Sequence, residues 1–403
     1  MNNKYQIPRE KTKQLEQLLR QQEIDGLLIL SREASDPILP FLIGDDTVHM
    51  GAALFMQDGH HVMITSSADE KKFIPSGIFA EVLTYNKQLD EVLMPVLDRL
   101  NPKRLALNIS ETDVISDGLT YGLYCMLQDM IGAERLAAME VSSEHLIREL
   151  CSVKSDTEVE CLRQCIQITN DIYDEVFSRV RCGMTEKEIG DLFVEAMKSR
   201  DVCNGLGNPY DYPIVCIVRA GLAHRSPGDT VTVPGDIVIC DFSVKYCGYI
   251  SDIARSAYFL KPGETGAPAD IQHAFNTAYN AITATIDFIG VGKQGWEVDA
   301  VGRKVIEDGG FPTVRHSVGH PIGRRCHDSG TSLSPKRPTN MASCCRPIGL
   351  NEVYAIEPTV IQDGGLPCML VEENVVIRPE GAEILSRRQT QLYLIPSEET
   401  NNA

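Results

Sequence analysis

The chain has 403 residues, 43% of them hydrophobic and 23% charged, and a net charge of −18 at neutral pH. That length exceeds one ordinary core and points to two domains, while the composition excludes a largely disordered chain. The negative charge excludes a nucleic-acid or anionic-membrane surface as partner, because phosphates would be repelled over most of the molecule. No apolar run approaches the roughly 20 residues that span a bilayer. The opening MNNKYQIPREKTKQ lacks the apolar stretch of an export signal. The thirteen cysteines are odd in number and form no CxxC pair, so reduced thiols in a cytoplasmic protein are expected, without structural zinc.

Residues 1–140 read as a small α/β domain. An amphipathic helix is expected over Arg9 to Gln22, followed by the strand DGLLILS. GAALFMQDGHHVMITS reads as two strands joined at Asp58-Gly59, which places His60 and His61 at a solvated hairpin end. A helix near Leu89 to Leu100 and the strand RLALNIS follow. The pattern breaks between Ala133 and Ser155, where the domain boundary is placed. A second domain, 150–398, opens with a helix whose N-terminus carries Ser155 and Glu158 at capping-box spacing, and Thr185 with Glu188 starts another in the same way. Strands dominate Pro213 to Leu260, and helices return at about Asp270 to Phe288 and Trp296 to Asp308. Strands then run to the C-terminus, a grouped α+β order. His273 is expected to be solvated, and Trp296 to pack in a core or interface.

Two segments of the second domain echo each other. PGDIVICD ends at Asp241 and IGLNEVYAIE at Glu357; each is a turn, an apolar strand and an acid, and a second acid follows each, at Asp252 and Glu372. A buried carboxylate costs several kcal/mol unless a cation or hydrogen bonds compensate it. A hairpin turning near Tyr246 to Gly248 would bring Asp241 and Asp252 onto one face. Four such acids repel one another unless protonated or bound to metal.

The segment HSVGHPIGRRCHD supplies His316, His320 and His327. A zinc-protease helix is excluded, because Ser317 stands where a glutamate base is needed and Gly319, Pro321 and Gly323 oppose a helix. With His320 added, the acids make a set suited to two divalent first-row ions about 3–4 Å apart. Surface acids and hydrogen-bonded structural histidines are the competing account of the same residues.

Asp241, Asp252, His320, Glu357 and Glu372, in the contexts DFS, GYISDIAR, GHPIG, AIEP and VEENVV, resemble the pita-bread metallopeptidases: methionine aminopeptidase, prolidase and aminopeptidase P. The resemblance covers nearly the whole chain, because the first domain is similar to that of the prolidase, aminopeptidase P and creatinase branch. It implies a pita-bread catalytic domain behind a smaller creatinase-type α/β domain. Asp241 would bind one ion, His320 and Glu357 the other, and Asp252 and Glu372 both, with a metal-bridging hydroxide as nucleophile. Glu357 would shuttle protons, His224 and His327 would stabilise the tetrahedral intermediate, and His316 would line the substrate pocket. Two divalent ions are implied, manganese first, with cobalt, iron or zinc as alternatives. A homodimer acting on the Xaa-Pro bond of short peptides is the implied function.

Three features depart from the branch. Leu370 stands where arginine commonly precedes the second bridging glutamate by two residues, Asp328 replaces the glutamate common after His327, and SPKRPTNMASCCRP resembles an insert. Losing the arginine should weaken the orientation of Asp241 or shift that work to another group. Other classes on the same scaffold are a small-molecule C–N hydrolase like creatinase, a dimethylsulfoniopropionate lyase, and a non-catalytic binding protein. The full ligand set disfavours the metal-free creatinase and the binding protein.

Overall fold

The amphipathic stretch near the N-terminus forms the helix Gln6–Gln21, which buries Leu15 and Leu19, one helical turn apart. The computed structural model describes residues 4–221, 225–364 and 366–397, grouped in two units that divide between Cys151 and Ser152. None of the helices among these residues is long and apolar enough to cross a membrane.

The first unit is built on a six-stranded mixed sheet in the order Glu81–Tyr85, Val62–Ser66, Gly51–Met56, Gly26–Ser31, Leu105–Leu107, Glu140–Ser142. Successive side chains of a strand face opposite ways. Leu27 and Ile29 accordingly join one core with Leu15 and Leu19, while Leu28 and Leu30 join a second. Burial on both faces explains the unbroken apolar run in the sequence. Asp58-Gly59 does turn a hairpin, with Gly59 at φ +87°. His61, however, is not at a solvated end: it is buried, accepts a hydrogen bond from the Met56 amide at 3.0 Å, and lies 3.2 Å from Glu16 Oε1. Burial pushes its imidazole below the ordinary value. A charged strand end next to a helix carrying Glu16 cannot be told from a solvated one by local pattern. Where that pattern breaks, the chain forms the helix Ala133–Met139, the strand Glu140–Ser142 and the helix Glu144–Ser152, the first two too short for periodicity to register.

In the second unit both expected capping boxes are present, on the helices Asp156–Arg179 and Glu186–Ser199. Ala269–Phe288 and Gly295–Asp308 form the second helix pair. Each pair accompanies a four-stranded sheet. One runs Tyr393–Ile395, Ile253–Phe259, Ile237–Phe242, Ile214–Ile217; the other runs Gly319–Pro321, Val353–Ile356, Glu373–Arg378, Gly381–Ile384. Ile237 and Ile239 belong to the core of the second helix pair, and Val238, Cys240 and Phe242 to that of the first. The strand that ends at Asp241 and Phe242 is thus clamped between two cores. His273 is exposed, with Nε2 2.9 Å from the Gly309 carbonyl oxygen, and the half-buried Trp296 ring carries Lys336 Nζ 3.7 Å from its centroid.

Gly319 lets the strand before His320 approach its neighbour: a Cβ there would lie 2.3 Å from the Ala355 carbonyl oxygen. Gly319→Ala is expected to lose about 1–3 kcal/mol in urea unfolding, the usual cost of an added buried methyl. Gly266→Ala, where a Cβ meets nothing within 4 Å, should change stability by less than about 0.5 kcal/mol. Equal effects at the two positions would refute the close approach.

Candidate metal centre

Two antiparallel hairpins deliver the acids. Asp241 pairs with Ala254, two residues beyond Asp252, so the two aspartates share a face as diagonal neighbours. The turn between them passes through Cys247 at φ +51° and Gly248 at φ +82°, inside the expected span. In the second hairpin Ile356 pairs with Glu373, which sets Glu357 and Glu372 one step further on, opposite each other. His320 pairs with Ala355, two residues before Glu357, and so points to the same side. Asp252, His320 and Glu372 each offer a donor atom within 4.8 Å of the others. His320 Nε2 lies 3.5 Å from Asp252 Oδ2 and 3.8 Å from Glu357 Oε1.

The charges are ill-matched as they stand. Burial, then Asp252 and Glu357, hold the Asp241 carboxyl well above its ordinary value. Glu372 is raised in the same way, by burial and by Asp252, Glu357 and Asp241. Burial pushes Glu357 up to about 7, against the opposing pull of His320. Asp252 alone among the four is lowered: burial opposes ionisation, but His320, Cys326 and Ser243 outweigh it. His320 is correspondingly raised to about 9, since Asp252 and Glu357 overcome its desolvation. One imidazolium cannot compensate four enclosed carboxylates, so the donor set fits divalent cations: oxygen-rich, with one nitrogen.

Several supporting groups carry no mark in the sequence pattern. Ser243 Oγ donates to Asp252 Oδ1 at 3.0 Å and Cys326 Sγ to Oδ2 at 2.8 Å. Asn374 Oδ1 accepts the Asp252 amide at 3.1 Å. Arg255, almost fully buried, donates to the Glu372 carbonyl at 2.7 Å and to Glu373 Oε2 at 3.2 Å. It is a buried cation at the Glu372 backbone, supplied from the strand Ile253–Phe259 of the other sheet. Leu370 is packed in the apolar core, and its carbonyl accepts from Ser256 Oγ. Arg255 stands three residues after Asp252, on the other face of that strand, so no sequence pattern discloses its place beside Glu373.

The predicted histidines are distributed around this cluster. The exposed His327 ring lies 4.3 Å from that of His320, centroid to centroid. Beside it Asp328 forms a buried ion pair with Lys154 at 3.1 Å, which holds the turn. His316 is half-buried, with Nδ1 2.6 Å from the Ser317 carbonyl oxygen and its own carbonyl bound by Arg303 at 2.9 Å. His224 lies outside the described residues. A cavity of about 390 Å³ opens beside Asp241 and Ser243, walled by Asn204, Leu206, Tyr212 and Pro227.

A model of metallopeptidase family M24 matches residues 160–379, a span that contains all five candidate ligands. The chain is 23% identical over 391 residues to a Bacillus subtilis protein named as the uncharacterized peptidase YqhT, covering 96% of this chain and 100% of that one. Among solved structures, an X-Pro aminopeptidase from Thermotoga maritima superposes with a TM-score of 0.70 at 23% identity, covering 95% of this chain and 99% of that one. An Xaa-Pro dipeptidase from Bacillus anthracis gives 0.70 at 21% identity, over 96% of this chain and 100% of that one. The fold is therefore the pita-bread α+β architecture expected from the resemblance.

A carboxyl raised to about 7, as that of Glu357 is, holds a proton part of the time at neutrality, and a cation takes the ionised form. Loading the metal-free protein with Mn²⁺ at pH 7 should therefore release protons, and affinity should rise with pH. Calorimetry in two buffers of different ionisation enthalpy counts them; zero release would mean the acids are already ionised. Arg255→Met would leave Glu373 buried without its cation, at an expected cost of about 3–5 kcal/mol in urea unfolding. A cost below about 1 kcal/mol would show that Ser386 and Gln389, which also bind Glu373, suffice.

Proposed function

The chain belongs to metallopeptidase family M24, and from that premise we propose that it hydrolyses the Xaa-Pro bond of dipeptides or other short peptides. Its centre would hold two divalent ions on Asp241, Asp252, His320, Glu357 and Glu372. The observation that carries this reading is the convergence of Asp252, His320 and Glu372 within 4.8 Å, beside Glu357. The His316, His320 and His327 spacing supports a proline-directed enzyme over a methionine one, as do the names of the two solved neighbours. When bound, the ions would supply a water that ionises near neutral pH and positive charge for the scissile carbonyl. Four carboxylates and one imidazole make manganese the ion to start from.

The protein's own groups have the remaining tasks. A bond ahead of proline has no N–H, so its nitrogen offers the site no donor and must receive a proton before it can leave. Glu357, which would bind metal beside the attacking water, would take a proton from that water and return it to the proline nitrogen. His327, exposed beside His320, would donate to the carbonyl oxygen as charge develops there. His224 would be the second such donor, and His316 would contact the peptide. The cavity beside Asp241, with Leu206 and Tyr212 on its wall, would receive the residue before proline. The homodimer implied by the resemblance is part of the same proposal.

Incubating the manganese-loaded protein with mixed Xaa-Pro dipeptides and Xaa-Pro-Yaa tripeptides, and reading products by mass spectrometry, tests this. Release of the N-terminal residue is expected, and the preferred length separates a dipeptidase from an aminopeptidase. Asp252→Asn should lower kcat/KM by at least about 100-fold, since loss of a group that merely orients a ligand already costs 10–100-fold. No release despite bound metal would move the assignment to a small-molecule hydrolase or lyase on the same centre.

A further inference from the structure

Cys326 lies beside Asp252 at the donor cluster and is not among the five expected ligands. Its Sγ lies 2.8 Å from Asp252 Oδ2, and the residue is only 4% exposed. The sulfur, one nitrogen of His320 and one of His327 lie within 4.8 Å of one another. Among the described residues, no other cysteine falls in such a group. Cys240, for comparison, is packed in the apolar core. A cysteine that only filled space would not need its sulfur aimed at a carboxylate, a role for which a thiol is a weak donor.

Around one ion with bonds of about 2.0–2.3 Å, two donor atoms are at most about 4.6 Å apart. Asp252, His320 and Cys326 need only small side-chain adjustments to meet that limit. We propose that Cys326 is a sixth donor of the metal centre, joining Asp252 and His320 at one ion position and steering it toward thiophilic first-row ions (zinc, cobalt or iron(II)) over manganese. This rests on the metallopeptidase reading of the site. On coordination one metal–sulfur bond forms and the S–H bond breaks heterolytically, the proton leaving to solvent; nothing is oxidised or reduced. Thiolate is a soft ligand, whereas the rest of the set is carboxylate and imidazole, so one sulfur shifts the preference of the site and adds one negative charge to it.

Cobalt(II) titration of the metal-free full-length protein, followed by absorption, reads the two claims separately. Ligand-field bands in the visible report cobalt held by any donors, and a near-ultraviolet sulfur-to-cobalt charge-transfer band reports a thiolate ligand. The wild type is expected to show both. Cys326→Val should keep the visible bands and lose the charge-transfer band, and Cys326→Ser, which retains a donor to Asp252 without a soft atom, should behave the same way. The ratio of zinc to manganese affinity should fall about tenfold or more in both variants. Visible bands without the charge-transfer band in the wild type would overturn the role of Cys326 and leave the metallopeptidase reading standing. A charge-transfer band that survives in both variants would assign it to another thiol and overturn the proposal equally. Absence of all cobalt bands in the wild type would overturn the metal centre itself, and the proposal with it.

Discussion

Concentrated negative charge inside a protein core is the constraint on which the second unit depends. Asp241, Asp252, Glu357 and Glu372 end strands whose neighbouring residues are fully buried on both sides. Enclosure removes the solvent that would stabilise each carboxylate, and proximity makes each raise the others. His320 relieves Asp252 but not the set. The fold therefore carries a site that favours protons or cations, and the choice between them follows pH and metal supply.

The two hairpins solve a geometric problem that a single strand cannot. Two acids on one strand share a face only at even spacing and then lie well apart, whereas cross-strand and diagonal pairs bring carboxylates close. Repeating the device in a second sheet doubles the acids, and a third strand adds His320 by pairing with Ala355. The surrounding polar groups then become comprehensible. Ser243 sits opposite Asp252 one step past the last pair, Asn374 clasps the Asp252 backbone, and Arg255 secures the Glu372 carbonyl. Each is buried and each restrains a rotamer or a backbone turn that a cation would require to be in place beforehand. The Lys154 and Asp328 pair does the same for the turn that carries His327.

Much of this is legible in the sequence. Ser155 with Glu158 and Thr185 with Glu188 announce helix starts because the capping interaction is wholly local. Asp241 and Glu357 stand out because an acid at the end of an apolar run violates the pattern around it. His61 was misplaced, since its burial depends on Glu16, forty-five residues away in sequence. Arg255 and Cys326 escaped notice for the same reason: a strand arginine and a loop cysteine are ordinary until register and chain crossing set them beside Glu372 and Asp252. Leu370, where the resemblance leads one to expect a cation, is a core residue, and Arg255 from another strand binds the Glu372 carbonyl and Glu373.

Residue identity and spacing by themselves determined the inventory: which side chains can bind metal, their order, the helix caps, and a hairpin turn near Tyr246 to Gly248. These are properties of chemistry and of short-range backbone geometry, which the local chain specifies. Tertiary structure alone decided that two hairpins face one another, that the His327 ring lies beside that of His320, and that a thiol points at Asp252. Those outcomes rest on strand pairing between distant segments and on burial by both helix pairs, so no local stretch of sequence contains them.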